Sequence, residues 1–455
     1  MSETTITVTI EKLVQGGRGL ARHDSQVLLV RGAIPAETVS ITGGARQKGV
    51  QDATVSGVLV RSPDRVLPPC PVYEICGGCQ LQHIRYEAQL AYKRDMLGET
   101  LMRLGRVNVA QIPEIIPSPN PYGYRSTVRF VVFRQGSGFA LGFHREGTNE
   151  PVAAGGCLLI PASSREIVTR LSERLASQAK LPLRLESVEL RQSMAFASTL
   201  VIYRTGPADR ERARRFFELF HGLPGVVGQV VNACGEVKRQ RAKGNSVTRG
   251  GTGEEGPPGF RRQRWVQGQD WIADRLDGLI FRISDRSFMQ ANWALNKTLS
   301  STVSEWVGTC EGRRVLELYS GIGTLGLPLA RRGAFVTEAE ANPFALADAR
   351  HAAKVNHIGR CRFRLLRAEA MLLATQAGEY DVVIMDPPRT GLSQASAKEL
   401  LRVGTERVLY LSCDAPTLAR DLGRLSGGGY RIARIQAFDM FPQTAHLETL
   451  VELVR

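Results

Sequence analysis

Cys70, Cys76 and Cys79 fall within ten residues, in a C-x5-C-x2-C spacing with Gly77-Gly78 before the last cysteine. Such spacing suits a metal site, because the glycines let the backbone wrap tightly. Cys157 is the natural fourth ligand, reached across a folded domain. Four thiolates hold zinc or a 4Fe-4S cluster, and ligand identity alone does not choose. A second group is the turn Ser320-Gly321-Ile322-Gly323-Thr324-Leu325-Gly326, which follows the apolar run Val315–Tyr319. Gly321 and Gly323 allow a sharp turn and close approach of a ligand. Glu340 comes nineteen residues after Gly321, where a carboxylate accepts hydrogen bonds from ribose hydroxyls. The G-x-G-x-x-G spacing admits a nicotinamide dinucleotide as well as S-adenosylmethionine. Asp386 opens Asp386-Pro387-Pro388-Arg389, a stiff turn that holds its carboxylate in place. Cys413 ends the apolar run Leu409–Ser412. A cysteine there is a core residue by default. Its position at the edge that carries Gly321 and Asp386 makes it a candidate nucleophile, which requires the thiolate form. Glu448 begins the last apolar run, from which its carboxylate reaches the same edge.

These residues need a parallel sheet to converge. From Arg313 onward, apolar runs at Val315–Tyr319, Ala334–Glu340, Arg362–Leu366, Tyr380–Asp386 and Arg407–Cys413 read as strands. Helical spacing at Leu325–Arg332, Phe344–Val355 and Ala395–Val403 separates most of them. Two closing strands, Arg431–Met440 and Leu447–Val454, are joined too briefly to be parallel. A doubly wound Rossmann-like α/β domain over 280–455 is expected, with ligands at the carboxyl ends of its strands. The closing hairpin favours a methyltransferase arrangement. Residues 1–61 alternate apolar and polar positions between glycine-rich turns, which suits an OB-like β-barrel of about five short strands. Residues 62–279 read as a central α+β domain carrying the cysteine cluster, after the proline-rich linker Ser62–Pro71. Within it, 236–264 holds eight Lys/Arg against three Glu and is rich in Gly and Pro, so it reads as a surface insertion or a basic RNA-contacting loop.

Composition narrows the class. The 455 residues carry 59 Lys+Arg against 44 Asp+Glu, a formal net charge of +15. Such an excess points to a polyanionic partner such as nucleic acid. No apolar run is long enough for a membrane span, and the N-terminus lacks a signal-peptide pattern. A reduced cytoplasmic location is expected, where eight cysteines imply metal or catalytic roles rather than a disulfide framework.

Together these segments resemble the S-adenosylmethionine-dependent RNA 5-methyluridine methyltransferases, in the branch with an N-terminal TRAM barrel and an iron–sulfur cluster. CPVYEICGGCQLQHIRY is similar to the family's cluster segment, with Cys157 standing for the fourth ligand. SFMQAN resembles a motif that puts Gln290 at the cofactor. LELYSGIGTLGLPLA resembles the cofactor loop, which implies contacts from Tyr319, Gly321, Gly323 and Thr324. DPPRTGL resembles the Asp386 motif, LYLSCDAPTLARDL the nucleophile motif, and FPQTAHLETL the segment with the general base, here Glu448. Glu317, Ser320 and Thr324 depart from the family's usual Asp, Cys and Asn, and Arg367-Ala368-Glu369 lacks the polar residue usual near the adenine.

The resemblance implies a monomeric RNA (uracil-5-)-methyltransferase that uses S-adenosylmethionine and holds a 4Fe-4S cluster on Cys70, Cys76, Cys79 and Cys157. Its substrate is expected to be a uridine of 23S ribosomal RNA, with transfer RNA as runner-up. Cys413 would attack carbon 6 of uracil, and Glu448 would remove the carbon 5 proton after methylation. An iron–sulfur oxidoreductase using a nicotinamide would account for the glycine turn and the cysteines but would leave Cys413 and Glu448 without roles. A noncatalytic RNA-binding protein predicts that Cys413→Ala changes no activity.

Overall fold

The structure, a computed structural model, describes residues 6–47, 49–106, 112–236 and 260–455. Of the basic segment 236–264, residues 237–259 lie outside the described residues. Two compact units are present: Met1–Pro121 with Ala294–Arg455, and Tyr122–Trp293.

The alternation at the start of the chain folds as read. Strands β1 (Ile6–Thr9), β2 (Lys12–Val14), β3 (Arg18–His23), β4 (Gln26–Arg31), β5 (Thr38–Gln47) and β6 (Val50–Val60) form one sheet in the order β1-β5-β6-β4-β3-β2. Val8, Ile10, Val30, Val39 and Ile41 make its core. Six strands stand where about five were expected, the short β2 among them. It pairs with β3 across a turn where Gly16 and Gly17 take φ of +90° and +74°. Helix α1 (Tyr86–Thr100) follows and widens into a π-helical turn at Leu101–Gly105. Lys93 on α1 is 1% exposed, and its Nζ donates to Asp439 Oδ1 at 2.5 Å and to the Phe441 carbonyl at 3.2 Å. Gln89 Nε2 donates to Gln443 Oε1 at 2.9 Å. These three bonds fasten α1 to the segment before Glu448.

Among its described residues the second unit has a seven-stranded sheet, two helices and a separate hairpin. Its elements are β7 (Thr127–Gln135), β8 (Gly138–His144), β9 (Pro151–Ala153), α2 (Ala162–Ala176), β10 (Leu185–Gln192), β11 (Thr199–Thr205), α3 (Arg210–Leu219), β12 (Val226–Glu236) and β13 (Phe260–Gly268). The sheet order is β13-β12-β11-β10-β7-β8-β9. Hairpin β14 (Trp271–Leu276) and β15 (Leu279–Ser284) stands apart from it. Tyr203, Phe216 and Phe220 form an aromatic cluster in its core. Asp209 caps α3 by accepting from the Arg212 N–H at 2.8 Å.

The C-terminal part returns to the first unit. Helix α4 (Trp293–Val307) leads into β16 (Arg314–Leu318), α5 (Gly326–Arg331), β17 (Phe335–Glu340), α6 (Pro343–Val355), β18 (Cys361–Leu365), α7 (Ala368–Ala374), β19 (Val382–Met385), α8 (Gln394–Val403), β20 (Arg407–Ser412), α9 (Ala415–Gly427), β21 (Arg431–Phe438) and β22 (Glu448–Val454). The order is β18-β17-β16-β19-β20-β22-β21, with β22 antiparallel to both neighbours. Parallel strands covered on both faces explain the continuous apolar runs. Asn342, Ser393 and Asp414 cap α6, α8 and α9 by accepting backbone N–H bonds. No helix among the described residues is long and apolar enough to cross a membrane.

Candidate active site

The chain leaves β16 through a strained turn. Tyr319 takes φ of +59°, costly for a bulky side chain, and Gly321 and Gly323 follow at +58° and +82°. Tyr319 lines a cavity of about 670 Å³ at the carboxyl ends of the strands, together with Glu340, Arg367, Glu369, Ser393 and Arg420. Glu340 Oε2 accepts from the Gly321 N–H at 2.9 Å and Oε1 from the Asn342 N–H at 2.7 Å. A carboxylate has about four acceptor sites, so capacity for ribose hydroxyls is left. Thr324 is half-buried, and its carbonyl accepts from Ser300 Oγ at 3.0 Å.

Two carboxyls underlie this turn. Glu317 and Glu338 are register partners on β16 and β17, and both are buried. Glu317 Oε2 and both Glu338 oxygens lack hydrogen-bond partners. Burial pushes both carboxyls up from the ordinary range, and for Glu317 the Glu338 charge adds to it. A Cβ on Gly326 would stand 2.4 Å from Glu317 Oε2, and one on Gly323 2.9 Å from both Glu338 oxygens. Gly323 is therefore fixed from below as well as by φ, and Gly326 from below alone.

The other residues meet through strand register. Asp386 directly follows β19 and Cys413 directly follows β20. The antiparallel ladder pairs Ser412 with Thr449, which sets Glu448 opposite Cys413 at the same sheet edge. Cys413 and Asp386 are half-buried, and Glu448 is 2% exposed with Oε1 unpartnered. The Cys413 thiol is pushed up to about 11 by burial and by the Glu448 and Asp386 carboxylates, while Arg389 draws it down through charge and a hydrogen bond. Glu448 is raised by burial and by Asp386, with Arg389 opposing. Asp386 is raised by burial. Cys413 also immediately precedes the Asp414 cap of α9, whose N-terminal dipole favours an anion. The arrangement can form a thiolate beside two carboxyls and the exposed Arg389 cation.

Sequence reading quoted Arg389 only as part of a turn, although its charge acts on both Cys413 and Glu448. It also missed Lys93, which lines a second cavity, of about 10 Å³, with Cys413, Gln15 and Leu447. The apolar spacing of α1 gives no sign that its one lysine is buried. Gln290 lies in the second unit, half-buried, and its carbonyl accepts from Ser126 Oγ at 2.9 Å.

Cys70, Cys76 and Cys79 share one loop of the first unit, and Cys157 belongs to the second. The loop is tight: the Cys76 N–H donates to the Val72 carbonyl at 2.8 Å, and the Gly78 N–H donates to Cys76 Sγ at 3.4 Å. Burial and the neighbouring Cys70 raise the Cys76 thiol. Three soft sulfur donors on one short loop fit a thiolate-held metal by chemistry. Among the described residues, however, no group of three or more His, Cys, Asp or Glu is drawn together as a metal site.

The family model for tRNA (uracil-5-)-methyltransferase matches residues 260–455. An uncharacterized RNA methyltransferase of Aquifex aeolicus is 31% identical, over 100% of this chain and 99% of its own. The 23S rRNA (uracil(1939)-C(5))-methyltransferase RlmD of Shewanella amazonensis is 30% identical, over 99% of this chain and 96% of its own. The crystal structure of Pyrococcus abyssi tRNA (uracil-54, C5)-methyltransferase in complex with S-adenosyl-L-homocysteine superposes with a TM-score of 0.72, at 27% identity and with 100% of both chains covered. With relatives of this identity aligned end to end, the chain belongs to the S-adenosylmethionine-dependent RNA uracil-5 methyltransferases.

Proposed function

We propose that this enzyme methylates carbon 5 of one uridine in 23S ribosomal RNA through a covalent bond between Cys413 and uracil. The observation that carries the mechanism is the shared sheet edge of Cys413, Glu448, Asp386 and Arg389. Cys413 Sγ bonds to carbon 6, and the carbon 5–carbon 6 π electrons move into an enolate. S-adenosylmethionine supplies the methyl group that carbon 5 takes. Glu448 then removes the carbon 5 proton, the double bond re-forms, and the Cys413 thiolate leaves. This is nucleophilic catalysis followed by general-base catalysis. A thiol near 11 is almost wholly protonated at neutral pH, so Arg389 and the α9 N-terminus have to favour the thiolate when RNA is bound. Glu448, buried and free of hydrogen bonds at Oε1, has the proton affinity a base requires.

Tyr319, Gly321, Gly323, Thr324, Glu340, Asp386 and Gln290 are the proposed cofactor contacts, with Glu340 on the ribose. Cys70, Cys76, Cys79 and, on the resemblance, Cys157 are proposed to hold a 4Fe-4S cluster with a structural role. Anaerobically purified protein would then be brown and carry about four irons per chain, whereas stoichiometric zinc without iron would refute it. Residues 1–61 are proposed as a TRAM barrel that binds RNA, ahead of a central domain over 62–279 and the methyltransferase domain over 280–455.

Ribosomal RNA is favoured because a full-length relative carries that specificity by name, although a transfer RNA enzyme shares the fold. Mapping 5-methyluridine in a deletion strain tests the choice. Loss of one site in 23S ribosomal RNA with transfer RNA unchanged is expected. The converse would move the substrate to transfer RNA, and no loss in either would refute the activity.

A further inference from the structure

Hairpin β14–β15 has two unlike faces. Ile272, Asp274, Leu276, Leu279, Phe281 and Ile283 are buried on one. The register pairs Ala273 with Arg282 and Arg275 with Ile280, so Trp271, Arg275, Ile280 and Arg282 share the outward face. Neither strand puts an acidic side chain there; Asp274 points inward and is 0% exposed. Asp270 lies just before the hairpin, 3.6 Å from Arg282.

The tip of the β10–β11 hairpin adds to this face. Tips are ordinarily polar, yet this one reads Met194-Ala195-Phe196-Ala197, with Met194 39% and Phe196 44% exposed. It is also held rigidly. The Asp274 carboxylate accepts the Met194 N–H at 2.7 Å and the Ala195 N–H at 3.1 Å, and Ser193 Oγ accepts the Phe196 N–H at 3.0 Å. The Arg275 guanidinium lies 5.4 Å from the Phe196 ring centre, and Arg282 lies 5.3 Å from that of Trp271. A buried carboxyl thus fixes an exposed aromatic ring next to an arginine, on a strand face whose neighbouring carboxylates, Asp270 beside Arg282 and exposed Asp277 in the turn, stand at the two ends of the hairpin.

We propose that the outward face of β14–β15 and the Phe196 tip form a stacking platform for an unpaired base of the RNA substrate. Aromatic rings and guanidinium planes both stack on bases, and the arginines also meet the adjacent phosphates. Cationic charge beside exposed aromatics fits single-stranded RNA better than it fits a neutral protein surface. The proposal rests on the reading of the chain as an RNA methyltransferase.

The test uses the full-length protein and a fluorescein-labelled single-stranded RNA containing 2-aminopurine. Phe196→Ala and Phe196→Leu are each expected to weaken binding by about 5- to 100-fold and to relieve 2-aminopurine quenching, because one stack is lost. Phe196→Trp should bind as tightly as wild type. Phe196→Ala should leave the slope of log affinity against log salt unchanged, whereas Arg275→Gln should reduce it by about one. Wild-type affinity in Phe196→Ala, or in Phe196→Leu, would overturn the platform; a face built for a protein partner would give that result. Failure of wild-type enzyme to methylate any RNA would instead strike the activity itself, so the two failures are distinct.

Discussion

Alkylation of Cys413 reports directly on the electrostatics at the sheet edge. Iodoacetamide reacts with the thiolate. With the thiol pushed up to about 11 from 9.0, the thiolate fraction at pH 8 falls from about one in ten to about one in a thousand. A more basic thiolate is intrinsically more nucleophilic, with a Brønsted slope of about 0.4–0.5, which returns nearly tenfold. The net expectation is a rate roughly ten times below that of an ordinary thiol at pH 8, and still climbing between about pH 9 and 11. Exposed Cys234 serves as an internal reference in the same digest, read by mass spectrometry. Two variants separate burial from charge. Glu448→Gln removes the carboxylate that raises the thiol more and should speed alkylation on the alkaline side. Arg389→Met removes the cation and should slow it. Alkylation of Cys413 as fast as Cys234 at pH 8, or a shift of both variants in the same direction, would refute the reasoning.

Lys93→Met should destabilise the fold by about 3–5 kcal/mol, because Asp439 is left buried without its cation; denaturant unfolding measures this, and Lys93→Met with Asp439→Leu should recover much of the loss. Glu338 holds its proton longer in the folded than in the unfolded chain, so stability falls as pH rises from the ordinary carboxylate range through the raised folded value. Glu338→Gln should therefore melt higher than wild type at pH 8 and nearly level with it at pH 5, and equal gaps at both pH values would contradict the assignment.

The edge that gathers the site was legible because parallel strands end on one side. Val315–Tyr319, Val382–Met385 and Leu409–Ser412 are apolar runs followed at once by Ser320, Asp386 and Cys413, and those junctions are visible in sequence. Glu448 could be assigned to the edge, but its place opposite Cys413 depends on the β20–β22 register, which periodicity does not encode. Arg389 was hidden in a turn, since its role is a charge acting across space on residues more than twenty positions away. Helix α7 escaped notice because seven residues are too few to show a period. Glu338 was passed over inside a strand, where a carboxylate is expected to face water; its burial under Gly323 follows only from the pairing of β16 with β17. The stacking face of β14–β15 needs both the two-residue period and the arrival of Phe196 from a distant hairpin.

Glu448→Gln provides the most direct measurement of the covalent mechanism. The variant is incubated with substrate RNA and S-adenosylmethionine labelled in the methyl group, then resolved by denaturing electrophoresis. Cys413 can still bond to carbon 6 and carbon 5 can still take the methyl, but the glutamine cannot remove the remaining proton. A labelled RNA–protein band is predicted, absent when Cys413→Ala is added to the same variant. Normal release of methylated RNA by Glu448→Gln, or an undiminished band without Cys413, would contradict it.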